Sequence, residues 1–195
     1  MLLDRLPALP VPAHHRLRLV PILITIVGPI AAGKNTVADL IAARCEETGR
    51  TVVVADVDDV AWMLRPPARR GELWLDAHKA HGALVGRWVQ SGADVVVAVG
   101  PIYDEDEQAA LYGQLPTGAA PYRVLIDAPL ATTWQRVSAD TGRGASRQRD
   151  FHERAHARYR SLRPGIPVDL TFDSSRSSAA EIADAICRAV GIITA

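Results

Sequence analysis

The sequence predicts an α/β domain in which five parallel strands form one sheet flanked by helices. Two observations carry this. Short apolar runs alternate with segments of helical periodicity along the whole chain. The best of those runs is apolar at nearly every residue rather than at every second one, the pattern of a strand buried on both faces. A chain of 195 residues suffices for one domain with one sizeable core.

Residues 20–27 form the most continuous apolar run and read as the first strand. Residues 36–48 place Val37, Leu40 and Ile41 on one helical face, and Gly49 stops that helix. Residues 51–55 read as the second strand. A helix starts at residues 60–64 and is broken by Pro66 and Pro67. Residues 73–90 read as a helix with Leu84, Val85, Trp88 and Val89 on its apolar side. Residues 94–99 form the third strand, closed by Gly100-Pro101, and residues 105–115 a helix. The fourth strand is 122–126, followed after Pro129 by a helix over 130–140. An arginine-rich stretch, 143–163, contains a polar helix. Residues 168–172 are the fifth strand. Ile182, Ile186 and Val190 mark the last helix, 178–190. In sheets of this kind, ligands bind at the carboxyl ends of the strands.

Residues 17–27 are apolar enough to suggest a leader peptide. The run passes straight into a glycine turn, however, with no small-residue cleavage site. It is also too short to span a bilayer. The expectation is a cytoplasmic domain over 17–195, without a membrane role, preceded by a proline-bearing extension over 1–16. Lysine plus arginine equal aspartate plus glutamate at 22 each, so no global basic field favours nucleic acid. Cys45 and Cys187 are too few and too far apart for a disulfide scaffold or a metal site, and read as buried thiols. His78 and His81, like His152 and His156, have helical spacing but lack a third ligand. The sequence leaves a homodimer open.

The chemistry starts at Gly28-Pro29-Ile30-Ala31-Ala32-Gly33-Lys34-Asn35-Thr36, between the first strand and the first helix. Gly28, Gly33 and Lys34 have the spacing of a phosphate-binding loop. Gly28 and Gly33 let the backbone curl so that amides from Ala31 to Thr36 point at phosphate. The helix N-terminus adds its dipole, and Lys34 a point charge for the outer phosphates. Asn35 stands where Ser or Thr is usual, and the hydroxyl follows at Thr36. Magnesium could meet the Asn35 amide oxygen or Thr36, or water could fill the position while Thr36 faces the phosphate. Asp56, Asp58 and Asp59 end the second strand. Asp56 is expected on the metal side, Asp58 as the base at the acceptor hydroxyl, and Asp59 as the N-cap of the next helix.

The loop and the Asp56-Val57-Asp58 pair resemble the small-molecule kinases of the P-loop class, such as shikimate kinase, gluconate kinase and chloramphenicol phosphotransferase. The likeness is one of layout over about 20–190. It implies a three-layer P-loop NTPase fold, with Asp56 toward the metal and Asp58 toward the acceptor. It also implies a lid after the fourth strand, about 141–150, whose arginines close on the nucleotide. Arg143 and Arg147 fall there, flanked by Gly142 and Gly144. Arg154, Arg158 and Arg160 read instead as a solvated helix face. In that family the turn after the last strand lies against adenine. The glycine-rich turn that contacts acceptor after the third strand is reduced here to Gly100.

The acceptor pocket is expected from about 60–104. Arg65, Arg69 and Arg70 would suit an anionic acceptor, and Trp62, Trp74 and Tyr103 could supply flat walls. The expected function is ATP- and Mg²⁺-dependent transfer of the γ-phosphate to a hydroxyl of a small molecule: an antibiotic, a sugar acid or a nucleoside. The alternatives are a nucleoside monophosphate kinase and a non-catalytic nucleotide-binding switch.

Overall fold

The computed structural model describes residues 21–66, 69–142 and 144–194. The expected extension over 1–16, and also Pro67 and Arg143, lie outside the described residues. The elements run β1 (Ile22–Val27), α1 (Lys34–Glu47), β2 (Val52–Asp56), α2 (Val57–Trp62), α3 (Trp74–Val89), β3 (Val95–Val99), α4 (Glu105–Tyr112), β4 (Tyr122–Asp127), α5 (Leu130–Ala139), α6 (Arg149–Leu162), β5 (Leu170–Asp173) and α7 (Ala179–Ala189). The five strands form one sheet in the order β2-β3-β1-β4-β5, and every neighbouring pair is parallel. β1 therefore lies at the centre, with its carboxyl end between those of β3 and β4.

Alternate residues of the central strands feed two cores. Ile24 and Ile26 of β1 join Val95 and Val97 of β3, Val37 and Ile41 of α1, and Ile182 and Ile186 of α7 on one face. Leu23 and Val27 join Val96, Val85, Leu111 and Tyr159 on the other. Both faces of β1 and β3 are thus apolar and covered, which is why these strands read as continuous runs. Burying each such side chain contributes about 1.5–3 kcal/mol. On the second face α3 and α4 pack at close range. A Cβ on Gly82 would lie 2.0 Å from the Ala110 carbonyl oxygen, and one on Gly86 2.3 Å from that of Gln114.

Two helix starts differ from expectation. α1 begins at Lys34, because Gly33 caps it in the left-handed region at φ 96°. α2 begins at Val57, with no turn between it and β2. Its N-cap is Asp56, which accepts from the Asp58 amide at 2.9 Å. This corrects the assignment of Asp59, which lies inside the helix.

Cys45 and Cys187 are both free and buried. Burial pushes each thiol up to about 11, which keeps it protonated and unreactive. Among the described residues, no helix is long and apolar enough to cross a membrane.

Candidate active site

The loop between β1 and α1 is built by backbone demands that few residues meet. A Cβ on Gly28 would sit 1.9 Å from the Ile126 carbonyl oxygen of β4. Only glycine lets the chain leave the sheet this close to its neighbour. Gly33 has open space around it but needs its left-handed φ. Ala31 holds φ 57°, a left-handed conformation carried without the help of glycine. Such a residue stores about 1–3 kcal/mol and persists where its surroundings dictate the backbone.

Lys34 folds back across the loop and donates to the carbonyl oxygens of Gly28 at 3.0 Å and Pro29 at 3.1 Å. The loop also closes on itself, Ala32 N–H donating to the Pro29 carbonyl. Asn35 reaches the end of β2, its Nδ2 donating to Asp56 Oδ2 at 2.6 Å. A carboxylate only accepts, so this bond fixes the amide orientation and leaves the Asn35 oxygen free of Asp56. Asp56 is buried and has one donor on each oxygen. Asp58 is the second residue of α2 and borders the cavity beside the loop. Its side chain is exposed to the cavity, yet its carboxyl is held above the usual range, first by the desolvation its packed surroundings impose and next by the neighbouring Asp56 charge, while Lys34 pulls it back.

The cavity encloses about 590 Å³. Its floor is the loop, with Gly33, Lys34, Asn35 and Thr36, and Asp58 stands beside them. Its walls are Trp74 of α3, Pro101 and Tyr103 of the β3–α4 connection, and Phe151, Arg154 and Arg158 of α6. The last three recur at helical spacing, so one face of α6 forms one wall. Arg154, Arg158 and Arg160 are exposed, as expected of a solvated helix face, and Arg154 and Arg158 also border the cavity. A second cavity of about 320 Å³ lies on the other side of the loop, between Thr36, Arg136 and the β5–α7 turn at Ser174, Ser177 and Ser178. Arg136 braces that side, donating to the Ala31 and Ala32 carbonyls at 3.3 Å and to Ser174 Oγ at 2.9 Å.

Sequence reasoning missed Glu107, which organises the cavity wall around Trp74 and Tyr103. It is 2 % exposed. Its Oε2 accepts the Tyr103 amide at 2.8 Å, and its Oε1 accepts Trp74 Nε1 at 3.2 Å and Arg158 Nη2 at 2.8 Å. Its capping-box role with Asp104 at the start of α4 was the one sequence signal available. Tyr103 lends the cavity its ring only. Its hydroxyl is buried and donates to the Gly28 carbonyl at 2.6 Å, and burial pushes it far above the ordinary phenol range.

Other expected residues lie elsewhere. Arg65 is exposed and Gly100 is buried, and neither lines the cavity. Gly100 instead lets β3 end against Val57, whose Cγ1 a Cβ would meet at 2.4 Å. Trp62 is 57 % exposed, with Arg70 stacked over it at 3.9 Å. Arg69 pairs with Glu72 at 3.0 Å. Arg147 is exposed in a 3₁₀ turn, Ala145–Arg147, and borders neither cavity. His78, His81 and His156 turn ring nitrogens to backbone carbonyls, and His152 to Thr133.

No protein-family profile matches the sequence, and no curated protein matches it. Solved structures do match the fold. The Deinococcus radiodurans tunicamycin resistance protein superposes with a TM-score of 0.63 at 17 % identity, covering 89 % of this chain and 97 % of that one. Shikimate kinase from Acinetobacter baumannii, in complex with shikimate, gives 0.57 at 19 % identity over 87 % of this chain and 93 % of that one. The Mycobacterium tuberculosis APS kinase, in complex with AMPPNP and APS, gives 0.59 at 17 % identity over 88 % and 99 %. The likenesses extend over nearly the whole of each chain and agree with the glycine-bent loop at the end of the central strand: this chain has the P-loop kinase fold.

Proposed function

We propose that the protein is an ATP-dependent phosphotransferase that moves the γ-phosphate to a hydroxyl of a small molecule. The observation that carries this is Asp58 beside Lys34 and the phosphate loop, in one cavity of about 590 Å³ with an aromatic wall. The neighbours in fold include shikimate kinase and APS kinase, which supports the same reading.

Each residue has a role in this proposal. The loop amides and the N-terminus of α1 hold the outer phosphates. Lys34 leaves the Gly28 and Pro29 carbonyls for them. The acceptor lies against Trp74 and the Tyr103 ring, its hydroxyl toward Asp58. That oxygen bonds to the γ-phosphorus as the bond to the ADP oxygen breaks, and Asp58 takes the proton. The raised affinity of Asp58 for protons suits a base. Arg154 on the wall suits an acceptor with an anionic group. Arg147, and Arg143 with it, would close over the nucleotide as a lid. Asp56, the Asn35 amide oxygen and Thr36 would supply hard oxygen ligands suited to magnesium. Magnesium, when bound, offsets charge on the outer phosphates. The acceptor classes are antibiotics, sugar acids and nucleosides.

The test is thermal shift with ATP, GTP and magnesium, then ATP consumption over a panel of those classes plus nucleoside monophosphates. A rise in melting temperature with ATP, and consumption with a hydroxyl compound that Lys34→Ala abolishes, are expected. Consumption with nucleoside monophosphates alone would make it a kinase of that kind. Nucleotide binding without transfer to any acceptor would favour the switch.

A further inference from the structure

The Gly28 carbonyl accepts two hydrogen bonds, from Tyr103 Oη at 2.6 Å and from Lys34 Nζ at 3.0 Å. The two donors differ in what ties them there. Lys34 is a flexible side chain with work to do on phosphate. Tyr103 is clamped: Glu107 takes its backbone amide at 2.8 Å, and Gln108 Nε2 donates to its carbonyl at 2.9 Å. Arg158 stacks on its ring at 5.4 Å, and Tyr159 packs at 5.4 Å. The clamp is itself anchored, because Glu107 also binds Trp74 and Arg158.

From this we infer that Tyr103 is a positioning residue of the phosphate loop, holding the Gly28 carbonyl when Lys34 leaves it for phosphate. The inference rests on the phosphotransferase reading, since it needs Lys34 to move. While Lys34 stays on the carbonyl it has two donors, so losing the tyrosine hydroxyl leaves it satisfied. With nucleotide it has Tyr103 alone, and a phenylalanine there leaves a buried acceptor unpaired. The hydroxyl therefore contributes mainly to the bound state. It also joins the acceptor wall to the nucleotide loop through one chain of hydrogen bonds, Trp74–Glu107–Tyr103–Gly28.

Two measurements test it. Calorimetric titration with AMPPNP and magnesium should give Tyr103→Phe an affinity about fivefold to tenfold weaker than the parent, the loss expected for one orphaned buried acceptor. Unfolding without nucleotide should show Tyr103→Phe nearly as stable as the parent. The same change in a Lys34→Met background should cost clearly more, because the carbonyl then has no donor left. Additive effects in unfolding overturn the shared carbonyl. Unchanged AMPPNP affinity in Tyr103→Phe overturns the positioning role. If the parent binds no AMPPNP, the phosphotransferase reading and the positioning role fall together. A non-additive unfolding cycle in that case locates the failure in the function and not in the geometry.

Discussion

Asp58, the proposed base, shows what an ionisable group beside other charges costs at the scale of a residue. Its folded-state carboxyl lies above the 3.8 of a free aspartate, so folding disfavours its charged form. The sign follows directly. Above the folded pKa both states are ionised and the penalty is present in full. Below 3.8 both are protonated and it is gone. Because the side chain is exposed to solvent in the cavity the penalty is screened, so Asp58→Asn should raise the melting temperature only slightly at pH 7, and the gain should fade as pH falls toward that value. The same variant should lose about 10²-fold or more in turnover. A variant with full turnover, or one less stable at pH 7, would refute the role or the electrostatics respectively. In the parent, kcat/KM should fall on the acid side with a midpoint above that of ordinary aspartate. Glu107 makes the opposite prediction, being buried and fully engaged. Glu107→Ala should cost on the order of 3 kcal/mol in urea unfolding, because it strands several donors at once. The loop residues were legible because they are contiguous and each has one backbone or charge requirement. Glu107 and Arg158 were not, because they lie 51 positions apart and each alone looks like a charged residue on a helix surface.

At the scale of elements, the strands were legible and their order was not. β1 and β3 are apolar on both faces because each face has its own core. Nothing in those runs says that β3 lies between β1 and β2. α2 started earlier than expected, since the sequence offers three carboxylates in a row of four as caps and only geometry selects Asp56. α3 carries a prediction of its own. Alanine is the better helix former by about 1 kcal/mol, yet Gly82 and Gly86 face the α4 segment with no room for a Cβ. Overpacking at such a contact costs about 1–3 kcal/mol. Gly82→Ala should therefore lower the melting temperature by several degrees, and the double change with Gly86→Ala by more. Neutral or stabilised variants would mean that α3 and α4 separate easily.

At the scale of the whole molecule, the two cavities flank one loop. Thr36, Ala31 and Gly33 border both. A ligand reaching across the loop would bind the folded state alone and stabilise it. ATP with magnesium at 100 times its dissociation constant should add about 2.7 kcal/mol to unfolding, read as a concentration-dependent rise in melting temperature. Lys34→Ala should remove that rise. The cavity as a unit was only half legible, since its floor is one motif and its walls come from α3, the β3–α4 connection and α6. Ala31 completes the picture on the time axis. Its left-handed backbone at φ 57° is dictated by its surroundings in the chain itself, so the curl of the loop is not what limits binding, whereas Lys34 and the proposed lid have to move. In stopped-flow mixing, the observed association rate should rise linearly at low nucleotide concentration and level off where that closing step becomes limiting.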